Sequence, residues 1–179
     1  MIKKSWTALI VVSLCMLIYN ISPVNAKASD DVDVMQEESV RLSQEQLGEI
    51  FTVFSEINTA LEKDIKEYQG FIDDYSNDRL TPSEMNTNVT KLNESIKNTR
   101  SKTYSLNFTG KYEDDKIQLL RTCDMLHQSL KDMKISISLR NTGYYSKAKQ
   151  ELQDAEHFKS LAWKHINEDL YYDGYIPAK

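Results

Sequence analysis

Cysteine is nearly absent from this chain of 179 residues: Cys15 and Cys123 are the two that occur. Cys15 falls in the apolar N-terminal stretch, so no disulfide-stapled scaffold can be built. Glycine is scarce, at five, and proline scarcer, at three. That leaves few loops able to bend around a ligand or cradle a phosphate. No Gly-rich phosphate loop, Cys-x-x-Cys pair, nucleophile elbow or Ser-His-Asp order occurs. Strand signals are few, and no second apolar run of bilayer length follows the N-terminus. Basic charge is in deficit as well: the formal net charge is −5. An acidic surface of this kind disfavours nucleic acid and anionic membranes as partners.

What is present begins with a targeting pattern. Residues 1–26 read as a secretory signal peptide: Lys3 and Lys4, then an uncharged apolar run over 6–19, then Asn20, Ser22 and Pro23 as breakers. Val24-Asn25-Ala26 gives one cleavage site and Ala26-Lys27-Ala28 a second. The alternative is an uncleaved anchor, although the run is short of the about 20 residues a span needs. Removing 1–26 takes away two lysines and no acid, so the net charge moves from −5 to −7. Residues 27–41 are acidic and weakly patterned, a flexible spacer. Residues 42–179 form one domain, long enough to bury a core.

Within that domain the apolar spacing is helical throughout. Ser43 with Gln46 forms a capping box, and Leu42 with Leu47 the staple outside it. Apolar residues then recur at threes and fours from Leu47 to Tyr75, a helix of roughly 50 Å. Thr81, Pro82 and Glu84 repeat the start signal, with Leu80 and Met85 as staple. The second helix carries the narrow stripe Met85, Val89, Leu92, Ile96, Thr103 and Leu106. After a turn at 107–111, the third helix has the strongest stripe: Leu119, Cys123, Leu126, Leu130, Met133 and Ile137. Cys123 inside that stripe reads as a buried, inert thiol. Asn141-Thr142-Gly143 closes the helix, with Gly143 suited to the left-handed position. A fourth helix, about 144–170, turns Ala148, Leu152, Ala155, Ala162 and Ile166 inward. Short connections between four long helices predict an all-α, antiparallel up-down-up-down bundle. A three-helix bundle with the second helix loosely attached is the structural alternative.

Candidate chemistry is thin. Asp124-x-x-His127 and Asp154-x-x-His157 are carboxylate-x-x-His patterns of the kind di-iron bundles use, which also require further inward carboxylates. At about 100° per residue, however, His157 points away from the inward stripe of its helix, and His127 sits at the edge of its own. The ligands do not converge, and no metal or other cofactor is expected. His165 with Asp169 or Glu168 reads as a surface charge pair. The back of the third helix is more suggestive. Ile117, Met125, Ile135 and Leu139 lie opposite the core stripe, interrupted by Arg121, Gln128 and Asp132. The tail residues Tyr171, Tyr175 and Ile176 are placed to cover Ile117. Ile135 and Leu139 have only Leu80 and Tyr144 nearby. They are either packed internally or form a contact surface, and they are the candidate interaction residues.

The expected function follows: an exported, non-catalytic helical-bundle protein, secreted or held at the cell envelope, acting through a protein partner or a second copy of itself. The alternative is an N-terminally anchored extracytoplasmic sensor or accessory subunit. Membrane contact belongs only to that alternative. N-terminal sequencing of exported protein should therefore give Lys27, or Ser29 from the second cleavage site; a chain beginning at Met1 would overturn the export reading.

Overall fold

The computed structural model describes residues 42–177. The expected signal segment 1–26 and the expected flexible spacer 27–41 lie outside the described residues. Four helices account for nearly all of the rest: α1 (Gln44–Ser76), α2 (Pro82–Tyr104), α3 (Lys111–Leu139) and α4 (Thr142–Tyr172). They alternate in direction, as the cross-helix contacts show. Lys102 reaches Glu56 between α2 and α1, Arg100 reaches Asp124 between α2 and α3, and Lys111 reaches Asp173 between α3 and the end of α4. Among the described residues α1 touches both α2 and α4 and crosses the core to α3, whereas α2 and α4 make no contact. This is the up-down-up-down bundle, with all four helices sharing one core. No described helix is long and apolar enough to cross a membrane.

Both capping boxes form. Ser43 Oγ accepts from Gln46 N while Gln46 Oε1 accepts from Ser43 N at 2.8 Å; Thr81 and Glu84 do the same. Each box satisfies two backbone N–H groups that the first turn leaves without partners. The turn between α3 and α4 differs from expectation. Gly143 lies inside α4, and the left-handed residue is Arg140, at φ 48°. The reason is Asn141: its Oδ1 accepts from Gly143 N and Tyr144 N, which starts α4 two residues earlier. Asn141 N closes α3 by donating to the Ser136 carbonyl at 3.1 Å, and this closure puts the preceding residue in the left-handed region. The α3 start also lacks a side-chain cap; Gly110, at φ 62°, stands there instead.

Most of the expected apolar stripe residues are buried, including all five inward residues of α4, while Ile50, Tyr75, Leu106 and Ile137 are half-buried. Cys123 is completely buried, and burial pushes its thiol up to about 12. A second stripe on α3 is buried as well: Asp115, Thr122, Ser129 and Ser136, spaced by seven. It faces Ala148, Ala155 and Ala162 of α4, also spaced by seven. Short side chains on both sides let the two backbones approach. Ser129 Oγ can therefore donate directly to the Ala148 carbonyl, at 2.7 Å. Tyr68 reaches in from α1, and its hydroxyl donates to the Ser129 carbonyl at 3.2 Å. This seam makes α3 and α4 the most intimate pair in the bundle. Ala155→Leu would force the helices apart and should cost about 2–3 kcal/mol in a urea melt followed by circular dichroism; a loss below about 0.5 kcal/mol would mean the seam is looser than described.

Candidate functional site

The described residues offer three polar or open features, set at different levels of the bundle. The first is the end formed by the α1–α2 and α3–α4 turns. A cleft of about 750 Å³ opens there, lined by Tyr75, Ser76, Pro82, Ile137, Arg140 and Tyr145 among others. The Tyr75 and Tyr145 rings lie 6.4 Å apart, and the Tyr145 hydroxyl is hydrogen-bonded to Ser76 Oγ. The candidate interaction residues belong to this end. Leu139, between the lining residues Ser138 and Arg140, is 65% exposed, and Ile135 is half-buried.

Ile117, at the opposite end of α3, is 49% exposed. The tail does not cover it as anticipated: Tyr171 and Ile176 are exposed themselves, and Tyr175 stacks instead on Phe51 of α1, centroids 5.2 Å apart. The peptide after Gly174 turns back towards α1 because Gln44 holds it from both sides. Gln44 Nε2 donates to the Gly174 carbonyl and Gln44 Oε1 accepts from Ile176 N.

The second feature is a charged group in the α3–α4 interface. Asp132, read from sequence as one of the residues interrupting the apolar back of α3, is 2% exposed. Lys147 Nζ donates to its Oδ2 at 2.6 Å and lies 3.4 Å from Glu151. Burial alone would raise the Asp132 carboxyl; hydrogen bonds with Lys147 and Gln128 outweigh it and hold the group below the usual range. Glu151 moves the other way, raised by burial and by the neighbouring Asp132 anion. One carboxylate is thus kept ionised by a cation while its neighbour is driven towards the neutral form. The third feature is Asp64 of α1, which accepts from Ser95 Oγ of α2 at 2.9 Å; its carboxyl is raised by burial. Asp132 and Asp64 pin helices to one another through partners on the adjacent helix, whereas Glu151 pairs with Lys147 of its own helix and keeps one buried oxygen without a partner.

The two histidine patterns are not brought together. His127 Nδ1 lies 2.7 Å from Asn93 Oδ1, and its motif partner Asp124 is held by Arg100. His157 is exposed against the edge of Phe158, and Asp154 is engaged by Gln150. Among the described residues no three His, Cys, Asp or Glu side chains converge as metal ligands. Neither the paired tyrosines nor the Asp132 group was anticipated from sequence. The seven-residue recurrence of Asp115, Thr122, Ser129 and Ser136 is the signal that could have exposed the inward face to which Asp132 also turns.

The ionised Asp132 contributes stability above the ordinary carboxylate range and loses it as pH falls through the depressed folded value. Lys147→Met should accordingly lower the melting temperature at pH 7 and lower it much less near pH 3, as read by circular dichroism. Equal losses at both values would show that Lys147 acts through packing and not through charge. No protein-family model matches this chain, and neither curated proteins nor solved structures give a match.

Proposed function

We propose that this is an exported helical-bundle protein, secreted or held at the cell envelope, that works by binding another protein and not by catalysis. The observation that supports this is the turn end of the bundle. Leu139 is 65% exposed at the rim of a cleft furnished with two tyrosines. Exposed apolar groups beside a concave, part-aromatic surface are what protein contacts use. The helix ends that carry them are fixed by the Asn141 cap, the Ser136–Asn141 closure and the Ser76–Tyr145 bond, so the surface costs little ordering on binding. A second copy of the chain is one candidate partner. The second reading, an anchored sensor or accessory subunit, is favoured by the uncharged run over residues 6–19; fractionation separates the two, because only a released chain supports the first.

Replacing Ile135 and Leu139 together with Ser tests the contact surface. The expected result is weaker capture of partner or weaker self-association, at a stability cost under about 1 kcal/mol. A large fall in melting temperature would assign both residues to internal packing, and no change in either measurement would remove them from the function altogether.

A further inference from the structure

At the end of the bundle away from the cleft, the α3–α4 seam finishes on two acids in place of small residues. Asp115 lies seven residues before Thr122, opposite Ala162 in the register that Ser129 and Ala148 set, and Asp169 lies one heptad further along α4, beside Lys111, which precedes Asp115 by one turn of α3. Asp115 is 4% exposed, and its Oδ2 is buried with no hydrogen-bond partner among the described residues. The nearby cation is committed elsewhere. Lys111 Nζ lies 2.7 Å from Asp173 Oδ1 and donates to the Asp169 backbone carbonyl at 3.1 Å, but stands 3.9 Å from the Asp169 carboxylate. The remaining charged groups around Asp115 are few. On α4 the charged groups whose fields reach it are Asp169, half-buried, and His165, exposed; on α3 itself, Asp114 is exposed and Lys116 turns away to the Leu106 carbonyl and Glu113. From α1, Phe54 meets Tyr112 at this level while Glu45 and Glu49 are exposed, and the nearest cation of α2, Lys102, is taken by Glu56.

A buried carboxyl with an empty hydrogen-bonding position, set against a second carboxylate, is stable when it holds a proton and costly when it does not. We propose that buried Asp115, with Asp169 nearby, is a proton-operated latch for the end of α4 and the tail that follows it. With a proton on Asp115, the α3 side is neutral and α4 stays closed on α3. Loss of that proton sets two like charges across the seam. The consequence is carried along a short path. Tyr112 of α3 donates to Asp173 at 2.7 Å, and the next residues, Gly174 and Ile176, are tied to Gln44 at the start of α1. Phe51 of α1 stacks on Tyr175 and lies 6.0 Å from Trp163 of α4, so opening this end of the seam loosens an aromatic cluster that contains a tryptophan. The position of the switch follows from the site: burial first, and then the Asp169 charge, push the Asp115 carboxyl up to about 6. The folded value is raised above the unfolded one. The stabilisation is therefore complete in acid and is lost as pH rises through about 6.

Trp163 reports on this end directly. The chain has two tryptophans, so Trp6→Phe in the full chain leaves Trp163 as the single emitter. Its emission should shift to the red as pH rises from about 4.5 to about 8, with a midpoint near 6. Asp115→Asn in the same background should hold the emission at its acid position throughout. Asp169→Asn, a second variant should the first fail to fold, should move the midpoint to lower pH because it removes the opposing charge. A flat titration of the parent overturns the latch. So does a transition that survives Asp115→Asn, or one abolished by His165→Gln with Asp115 intact.

Discussion

The close contact of α3 with α4 is the constraint on which the rest of this bundle depends. Alanines on one helix and serine, threonine and aspartate on the other leave room for little but backbone, and Ser129 bonds straight to the Ala148 carbonyl. Such a contact has less apolar area than a leucine seam. It gains dispersion from the proximity of two backbones and an inter-helix hydrogen bond that a wider spacing would forbid. Once α3 and α4 are fixed at this distance, the remaining large side chains, Phe54, Leu61, Tyr68 and Leu126 among them, have a defined space to fill between α1, α2 and the pair. The register is fixed too, because Tyr68 reaches Ser129 only when α1 lies at one height against α3.

The same closeness governs the polar groups. Where the seam is small and neutral the helices meet directly. Where it carries charge, the charge has to be answered nearby or it strains the contact. Asp132 is answered by Lys147, whose long stem runs out towards solvent while its ammonium returns to the interface. Asp115 is not answered in that way, and its oxygen is left without a partner. The two ends of one interface thus differ in their cations: Lys147 bonds the buried Asp132 directly, whereas Lys111 bonds Asp173 and leaves Asp115 unanswered. An acidic protein built on such a seam carries its responsiveness in the helix pair itself and needs no mobile loop.

At the turn end, the structure spends its few special conformations. Arg140 adopts the left-handed region that a glycine would enter more easily, and Asn141 caps the helix that follows. The result is a short, well-fixed corner in which Leu139 projects outward and Tyr145 turns to meet Tyr75. Exposure of an apolar residue on so rigid a support separates it from the scattered surface leucines that most proteins tolerate.

The sequence by itself determined the helical class, the number of helices, their alternating direction and the main apolar stripes. These depend on local rules: period, capping boxes and short connections act within a few residues and are legible without a partner. It also marked Ile135 and Leu139 as a place where cover runs out, although only packing separates a half-buried Ile135 from an exposed Leu139. Gly143 was misplaced because a glycine and an asparagine compete for the same turn, and the side-chain cap of Asn141 wins. In sequence Asp132 only interrupts the apolar back of α3, and Asp115 carries no signal of its own. Only the tertiary structure turns them inward, because the inward face of α3 is set by how closely α4 approaches and not by hydrophobicity. Small and polar residues are ambiguous on a helical wheel; the distance to the next backbone decides whether they face water or a neighbouring helix.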